Sequence, residues 1–312
     1  MFHFHASSSR FCSRVVVFFA MLFMTGQPQA KGQDTSPGID FFSGVNFSFS
    51  DMTFERQYDV LIHLTPGFKW NMGHHWQLSG QAMVPIVNTY GDSYKYVQIG
   101  AFNISKEMCI SKLFLKGTVG VFDMYRYGAD LKVFLPLSDR LAFEAQTGYV
   151  GVMFFNPELC IYKPNIFVWT VGGDIYLPRW NTQFRGTVGK YLYKDFGCEA
   201  EAMRHFNHTT VSIYGRWSGD YGLDGGFRII VALPPYHRKH RAVNFRPASN
   251  YRMSYSIMYN AFSNCMYHTD PEENERHGWF SRDLLQWGSH TMDPDFIITD
   301  LRKTKDNINE TP

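Results

Sequence analysis

The chain has 312 residues, 45% of them hydrophobic, yet its mean hydropathy is only −0.25 because apolar residues alternate with Gly, Ser, Thr, Asn and Gln. Charged residues make up 19%, below the roughly 25% usual in soluble domains, while 28 Phe, 18 Tyr and 7 Trp bring aromatics to 17%. This composition excludes a bundle of apolar membrane helices and excludes intrinsic disorder. A formal net charge of +2 gives no reason to expect a nucleic-acid partner.

At the N-terminus, Arg10 and Arg14 precede an apolar run from Val15 to Met24, followed by Thr25, Gly26 and a small-residue site at Ala30 or Gly32. The run is too short for a span of about 20 residues and has the form of a signal-peptide apolar region. The expectation is cleavage after Ala30 or Gly32, with Pro28 favouring the second, so that 1–32 is a signal peptide. A retained N-terminal anchor is the alternative.

From Ile39 to Leu233 the chain divides into period-two segments of strand length separated by turn-forming residues. The candidate strands are 40–49, 58–70, 76–86, 94–105, 112–122, 126–135, 140–152, 166–177, 182–192, 197–206, 209–218 and 225–233. Their lengths suit transmembrane strands of roughly 9 to 11 residues, and a count of about twelve suits single-chain outer-membrane barrels, which use even numbers. Parity separates two faces. In 197–206, Glu199, Glu201 and Met203 share one face, with Cys198, Ala200 and Ala202 on the other; in 225–233, Phe227, Ile229, Val231 and Leu233 oppose Arg228, Ile230 and Ala232. A soluble sandwich also alternates, but its solvent face is normally richer in Lys and Glu and its strands are shorter. The expected fold is therefore an all-β, up-and-down antiparallel transmembrane barrel over 33–234.

If the N-terminus starts in the periplasm, the connections at 50–57, 87–93, 123–125, 153–165, 193–196 and 219–224 face outward. Most of the opposite set are tight, including Pro136-Leu137-Ser138-Asp139 and Pro178-Arg179-Trp180-Asn181, as outer-membrane barrels have them. After Leu233 comes a breaker and a basic cluster, Pro234 to Arg241, and residues 270 to 310 then hold ten Asp and Glu against five Lys and Arg. On this reading 235–312 is a periplasmic extension, its basic run a solvated linker or a contact for acidic headgroups or a polyanionic glycan. Within it, 251–260 alternates and could add a strand.

By parity the lumen lining includes Asp130, Lys132, Glu144, Asp174, Arg185, Glu199, Glu201, Arg216 and Arg228. Twelve strands lie between filled barrels of about 8 and open ones of 16 to 18, so the lining decides whether the lumen is open. Arg185 can reach Glu199 or Glu201 across the hairpin, predicting a narrow, charge-paired interior. His74-His75, His205 with His208, and His237 with His240 lack Cys or carboxylate neighbours at zinc spacing, so no metal and no cofactor are expected. His205 with Ser212 could begin a hydrolase constellation, and Glu144, Glu199 and Glu201 a glycosidase pair. The favoured reading takes these carboxylates as balanced by Arg185, Arg216 and Arg228, without catalysis. Cys12 leaves with the signal, and of the pairings open to the rest only Cys160–Cys198 with Cys109–Cys265 avoids crossing the membrane. Free, buried thiols are the favoured reading, since Cys198 lies on the apolar face of its strand.

The runs Gly172-Gly173-Asp174-Ile175-Tyr176-Leu177-Pro178-Arg179-Trp180 and Phe184-Arg185-Gly186-Thr187-Val188-Gly189-Lys190-Tyr191-Leu192 resemble the centre of YjbH/GfcD-type proteins. Asp195-Phe196-Gly197, Arg204-His205-Phe206, Asp220-Tyr221, Gly225-Gly226-Phe227 and Leu233-Pro234 continue the likeness in order, as do Phe245-Arg246-Pro247-Ala248 and Thr269-Asp270-Pro271-Glu272-Glu273-Asn274. The resemblance covers about 165 to 290, the earlier strands matching by pattern alone. It implies an outer-membrane barrel associated with exopolysaccharide or capsule export, without catalytic chemistry, whose partners are membrane lipids, polysaccharide and periplasmic or lipoprotein export components. This chain is shorter than the enterobacterial members, so nothing is carried over from the material it lacks. A small-solute porin and an outer-membrane hydrolase are the competing classes.

Overall fold

Strict alternation suits a closed sheet, in which one face of every strand looks into a lumen and the other outward. A computed structural model describes residues 38–50, 59–89, 91, 95–110, 113–123, 125–138, 140–155, 159–206, 209–219, 222–233, 242–248, 250–257 and 266–270. The expected signal peptide lies outside the described residues. The strands are β1 (Gly38–Ser43), β2 (Val45–Ser50), β3 (Asp59–Leu64), β4 (Gly67–Gly73), β5 (Trp76–Asn88), β6 (Gln98–Ile110), β7 (Leu113–Phe122) and β8 (Arg126–Pro136). They continue with β9 (Leu141–Phe155), β10 (Leu159–Leu177), β11 (Thr182–Lys190), β12 (Phe196–His205), β13 (Thr209–Ser218), β14 (Gly222–Ala232), β15 (Val243–Pro247) and β16 (Asn250–Ser256).

Consecutive strands pair antiparallel from β5 to β14, and the sheet returns through β16, β2 and β3 to β5. The closed barrel has thirteen strands, with β1, β4 and β15 continuing β2, β3 and β16 past a break. All twelve expected strands are present. The thirteenth comes from 243–256, where the alternation over 251–260 allows a strand, so the wall does not end at 234. An up-and-down chain with an odd number of strands brings its first and last strands together pointing the same way. The seam is accordingly parallel: β16 runs beside β2 from Arg252↔Asn46 to Ser256↔Ser50, and β15 beside β1 from Ile39↔Val243 to Ser43↔Pro247.

The breaks adjoin one another. Gly44 interrupts the first strand, Thr65 and Pro66 the second, and Ala248 lies in the third. A Cβ on Gly44 would meet the Ala248 Cβ at 2.7 Å and the Thr65 hydroxyl at 3.2 Å, and Pro66 has no N–H to give to a ladder. Thr65 N–H still donates to the Gly44 carbonyl and Ala248 N–H to the Ser43 carbonyl, at 3.0 and 2.9 Å. These hydrogen bonds carry the ladder across the break.

We call the end carrying the connections 51–58, 89–97, 123–125, 156–158, 191–195 and 219–221 the upper mouth, and the other the lower. The lower turns are tight for local reasons. His74 and His75 take left-handed φ values of 52° and 65° to turn β4 into β5, a region His enters more readily than most residues. Pro178–Trp180 form a 3-10 turn closed by Asn181 at φ 47°. At the upper mouth the long loop expected over 153–165 is mostly strand. Pro164 lies instead in a β-bulge between Tyr162 and Ile166, where its missing N–H costs no ladder bond.

Parity holds around the wall. Val119, Phe143, Phe167, Val171, Ile213 and Trp217 are exposed outward, whereas Thr118, Asp130, Ser212 and Arg228 are buried inward. This reverses the polarity of a globular protein, whose apolar side chains face in. A chain ending at residue 242 lacks β15 and β16 and leaves β14 and β2 with open edges. Its heat-modifiable migration on detergent gels is expected to vanish, while a chain ending at Ile257 keeps the wall and the gel shift.

Candidate functional site

Inward-facing side chains on a concave wall converge, so long ones can reach past an adjacent strand. Arg185 on β11 stands in register with Asp174 on β10 and Glu201 on β12. It was expected to pair across the β11–β12 hairpin. Its guanidinium also crosses β10 to Glu144 on β9, donating from Nε to Oε1 at 2.6 Å and pairing through Nη2 as well. Gly172 makes this possible: a Cβ there would lie 3.2 Å from the same carboxylate oxygen.

Arg228 on β14 behaves likewise. It passes over the Tyr214 ring of β13, with its guanidinium carbon 3.9 Å from the ring centroid, and pairs with Glu201 at 2.8 Å and Glu199 at 3.6 Å on β12. Arg216 takes the nearer partner, Asp224 on β14, at 2.8 Å, and the Ser256 hydroxyl donates to the same carboxylate. All nine residues assigned to the lumen by parity sit on the inward face. Asp130, Lys132, Asp174, Glu199, Glu201, Arg216 and Arg228 are buried, and Glu144 and Arg185 are partly so.

The other side of the lumen holds a segment that parity could not place. Residues 266–270 lie inside the barrel against β6 to β9. Tyr267 stacks on Phe122, with ring centroids 5.1 Å apart and planes 11° from parallel, and its hydroxyl donates to Asp130 at 2.7 Å. Met266 and Tyr267 join Phe122, Val150, Val168, Tyr191 and Leu192 in an apolar cluster. Deeper in, Asp270 pairs with Lys116 and, at 3.3 Å, with Lys132, while Lys116 also meets Glu107 at 3.2 Å. The Asn103 amide donates to the Thr269 carbonyl, and Asp123 accepts from the His268 backbone and ring. The ring of Tyr267 needs Gly148, where an added Cβ would fall 1.7 Å from its hydroxyl oxygen.

This placement corrects the view of 235–312 as a separate extension, since part of it is wall and part is lumen filling. Lys116 shares inward parity with Thr118 and was legible as lining; Asp270 and Tyr267 carried no sequence signal, because nothing local marks a segment that ends beside strands far away in the chain.

His205 and Ser212 are not hydrogen-bonded to each other. His205 directs Nδ1 to the Thr210 hydroxyl at 2.9 Å and Nε2 to the Gln183 side chain at 3.3 Å, and the Ser212 hydroxyl has no hydrogen-bond partner among the described residues. Glu199 and Glu201 share Arg228, and Glu144 is engaged by Arg185. Among the described residues no cluster of His, Cys, Asp and Glu suits a metal ion.

Cys160 and Cys198 are free thiols, as the favoured reading has them, although Cys198 is exposed and not buried. Cys198 is level with Val188 and, through it, with Val171. Cys160 therefore stands about 35 Å away along β10, at about 3.3 Å per residue, far beyond disulfide reach. For the other pair, Cys265 and the side chain of Cys109 lie outside what is described.

Removing Arg228 leaves Glu199 and Glu201 buried with their shared cation gone. Arg228→Ala is expected to cost about 3 kcal/mol or more of stability, read as a shifted urea midpoint in detergent micelles; Lys190→Ala, at the upper end of β11, is expected to cost less than about 1 kcal/mol. Gly148→Ala is expected to expel the Tyr267 ring, so that chymotrypsin cuts after Tyr267 in the folded variant and not in the unaltered barrel. No protein-family model matches the chain, and comparison with curated proteins finds no significant match.

Proposed function

We propose that this chain is an outer-membrane β-barrel of a Gram-negative bacterium, exported with a cleaved N-terminal signal, that serves in exopolysaccharide or capsule biosynthesis or secretion without catalysing a reaction. The observation that carries the membrane assignment is the inverted polarity of the wall. An outward band including Val119, Phe143, Val171, Val188 and Ile213 suits hydrocarbon, and a closed barrel leaves no strand edge unpaired within it. Exposed aromatic residues stand at both ends, with Tyr162, Tyr193, Phe196 and Trp217 near the upper mouth and Trp180, Phe206 and Trp70 near the lower. Such belts match the two interfaces of a bilayer.

The secretion role rests on the ordered likeness from about 165 to 290 to YjbH/GfcD-type proteins, and the polar, charge-lined lumen is compatible with it. Lipid contacts follow from the band, while glycan and periplasmic or lipoprotein partners follow from the likeness. A lumen crossed by ion pairs and occupied by residues 266–270 argues against a permanently open small-solute channel.

Deleting the gene is expected to reduce surface or secreted polysaccharide, measured on whole cells and culture supernatant, and the mature protein is expected in the outer-membrane fraction. Recovery from the soluble periplasm would overturn the membrane assignment. Unchanged polysaccharide would overturn the secretion role, and large, steady conductance in planar bilayers would favour the channel class.

A further inference from the structure

The segment 266–270 is held differently from everything around it. Among the described residues it joins no strand of the sheet, and its recorded backbone-to-backbone hydrogen bond is the long one from Asp123 N–H to the His268 carbonyl, at 3.3 Å. Side-chain recognition does the rest. The wall offers it five groups from three adjacent strands, Asn103, Lys116, Phe122, Asp130 and Lys132, and Asp123 just beyond β7 accepts from the His268 backbone and ring. The ladder of the barrel therefore does not depend on it.

What the wall recognises in it is chemically specific. Two ammonium groups, on Lys116 and Lys132, bracket one carboxylate. The flat face of Phe122 carries a stacked ring, and Asp130, itself accepting from Gln146 at 2.8 Å, accepts that ring's hydroxyl. The Asn103 amide donates to a carbonyl oxygen. A carboxylate, a ring face, a hydroxyl and an acceptor oxygen close together are also what one unit of a uronic-acid polymer presents. Cations serve its carboxylate as charge-assisted partners, an aromatic face covers the C–H side of the pyranose, and a carboxylate and amide serve its hydroxyl and ring oxygens.

We propose that Lys116 and Lys132, with Phe122, Asp130 and Asn103, form a binding site for a carboxylate-bearing sugar chain, and that Tyr267–Asp270 occupies this site as an internal substitute. The proposal rests on the secretion reading and names the substrate class it would need. An acidic glycan displaces the segment by competing for the lysines, whereas a neutral one lacks the group they recognise. Because ligand must displace an occupant, its apparent affinity is lowered by the fraction of molecules in which the site is filled, and weakening the occupant raises it.

The test uses the purified full-length protein in detergent micelles, with folding checked by heat-modifiable migration. Binding of an oligogalacturonate and of a neutral maltooligosaccharide of equal length is measured by titration calorimetry. Asp270→Asn keeps the shape of the segment and removes its charge, and is expected to bind the galacturonate at least tenfold more tightly than the unaltered protein, with no gain for the neutral sugar. Adding Lys132→Met to Asp270→Asn is expected to abolish the gain. Should Asp270→Asn fail to fold, Tyr267→Ala releases the segment at its other end and is read the same way. An equal gain for the neutral sugar, no gain, or a gain that survives Lys132→Met overturns the site. Its failure alongside a polysaccharide defect in the deletion strain removes this site alone. A specific gain without any such defect keeps the acidic-ligand site and removes the secretion role.

Discussion

Everything inside this barrel depends on the parallel seam between 38–50 and 243–256. Without it the sheet has two open edges, and each edge exposes a row of unpaired backbone groups. With it the wall closes, and the direction of the chain is set as well. A twelfth strand running down would leave the C-terminal region at the lower mouth; the thirteenth, β16, carries it back to the upper one, where Ser256 pairs with Ser50. Closure and delivery of the chain toward the lumen thus follow from one topological choice.

The closed wall then imposes a demand on its interior. Lumen charges have lost much of their water, so each must find an opposite charge or a hydrogen bond. Small residues decide which partners are in reach. Gly172 leaves the space through which Arg185 meets Glu144, and Gly148 leaves the space that Tyr267 fills. Two further networks fill the lumen, one wholly within the wall around Arg228 and one shared with the segment around Asp270. The first ties strand to strand. The second ties a separate piece of chain to the strands, and its partners can be exchanged without touching the ladder.

The same contrast explains what was readable beforehand. Glu199, Arg216 and Arg228 were assigned to the lumen correctly because alternation fixes a face locally, two residues at a time. Arg185 was assigned correctly to the face, but its bond to Glu144 was not foreseen, since cross-strand register considers only neighbours and the concave lumen rewards a longer reach. The connection read over 153–165 is mostly strand, and Pro164 within it is accommodated by a bulge. Distance along the strands keeps Cys160 and Cys198 apart as free thiols, and strand order alone does not give that distance.

Sequence by itself determined the all-β class, the approximate number and length of the strands, and which side chains face in. Each of these rests on interactions between residues close along the chain, where a period of two is enough. Only the tertiary structure decided the thirteenth strand, the parallel closure, the free state of Cys160 and Cys198, and the seat of Tyr267 and Asp270 within the lumen. These depend on contacts between residues as far apart as Lys116 and Asp270, separated by 154 positions, and such contacts come into being only when the sheet has curled round far enough to meet itself.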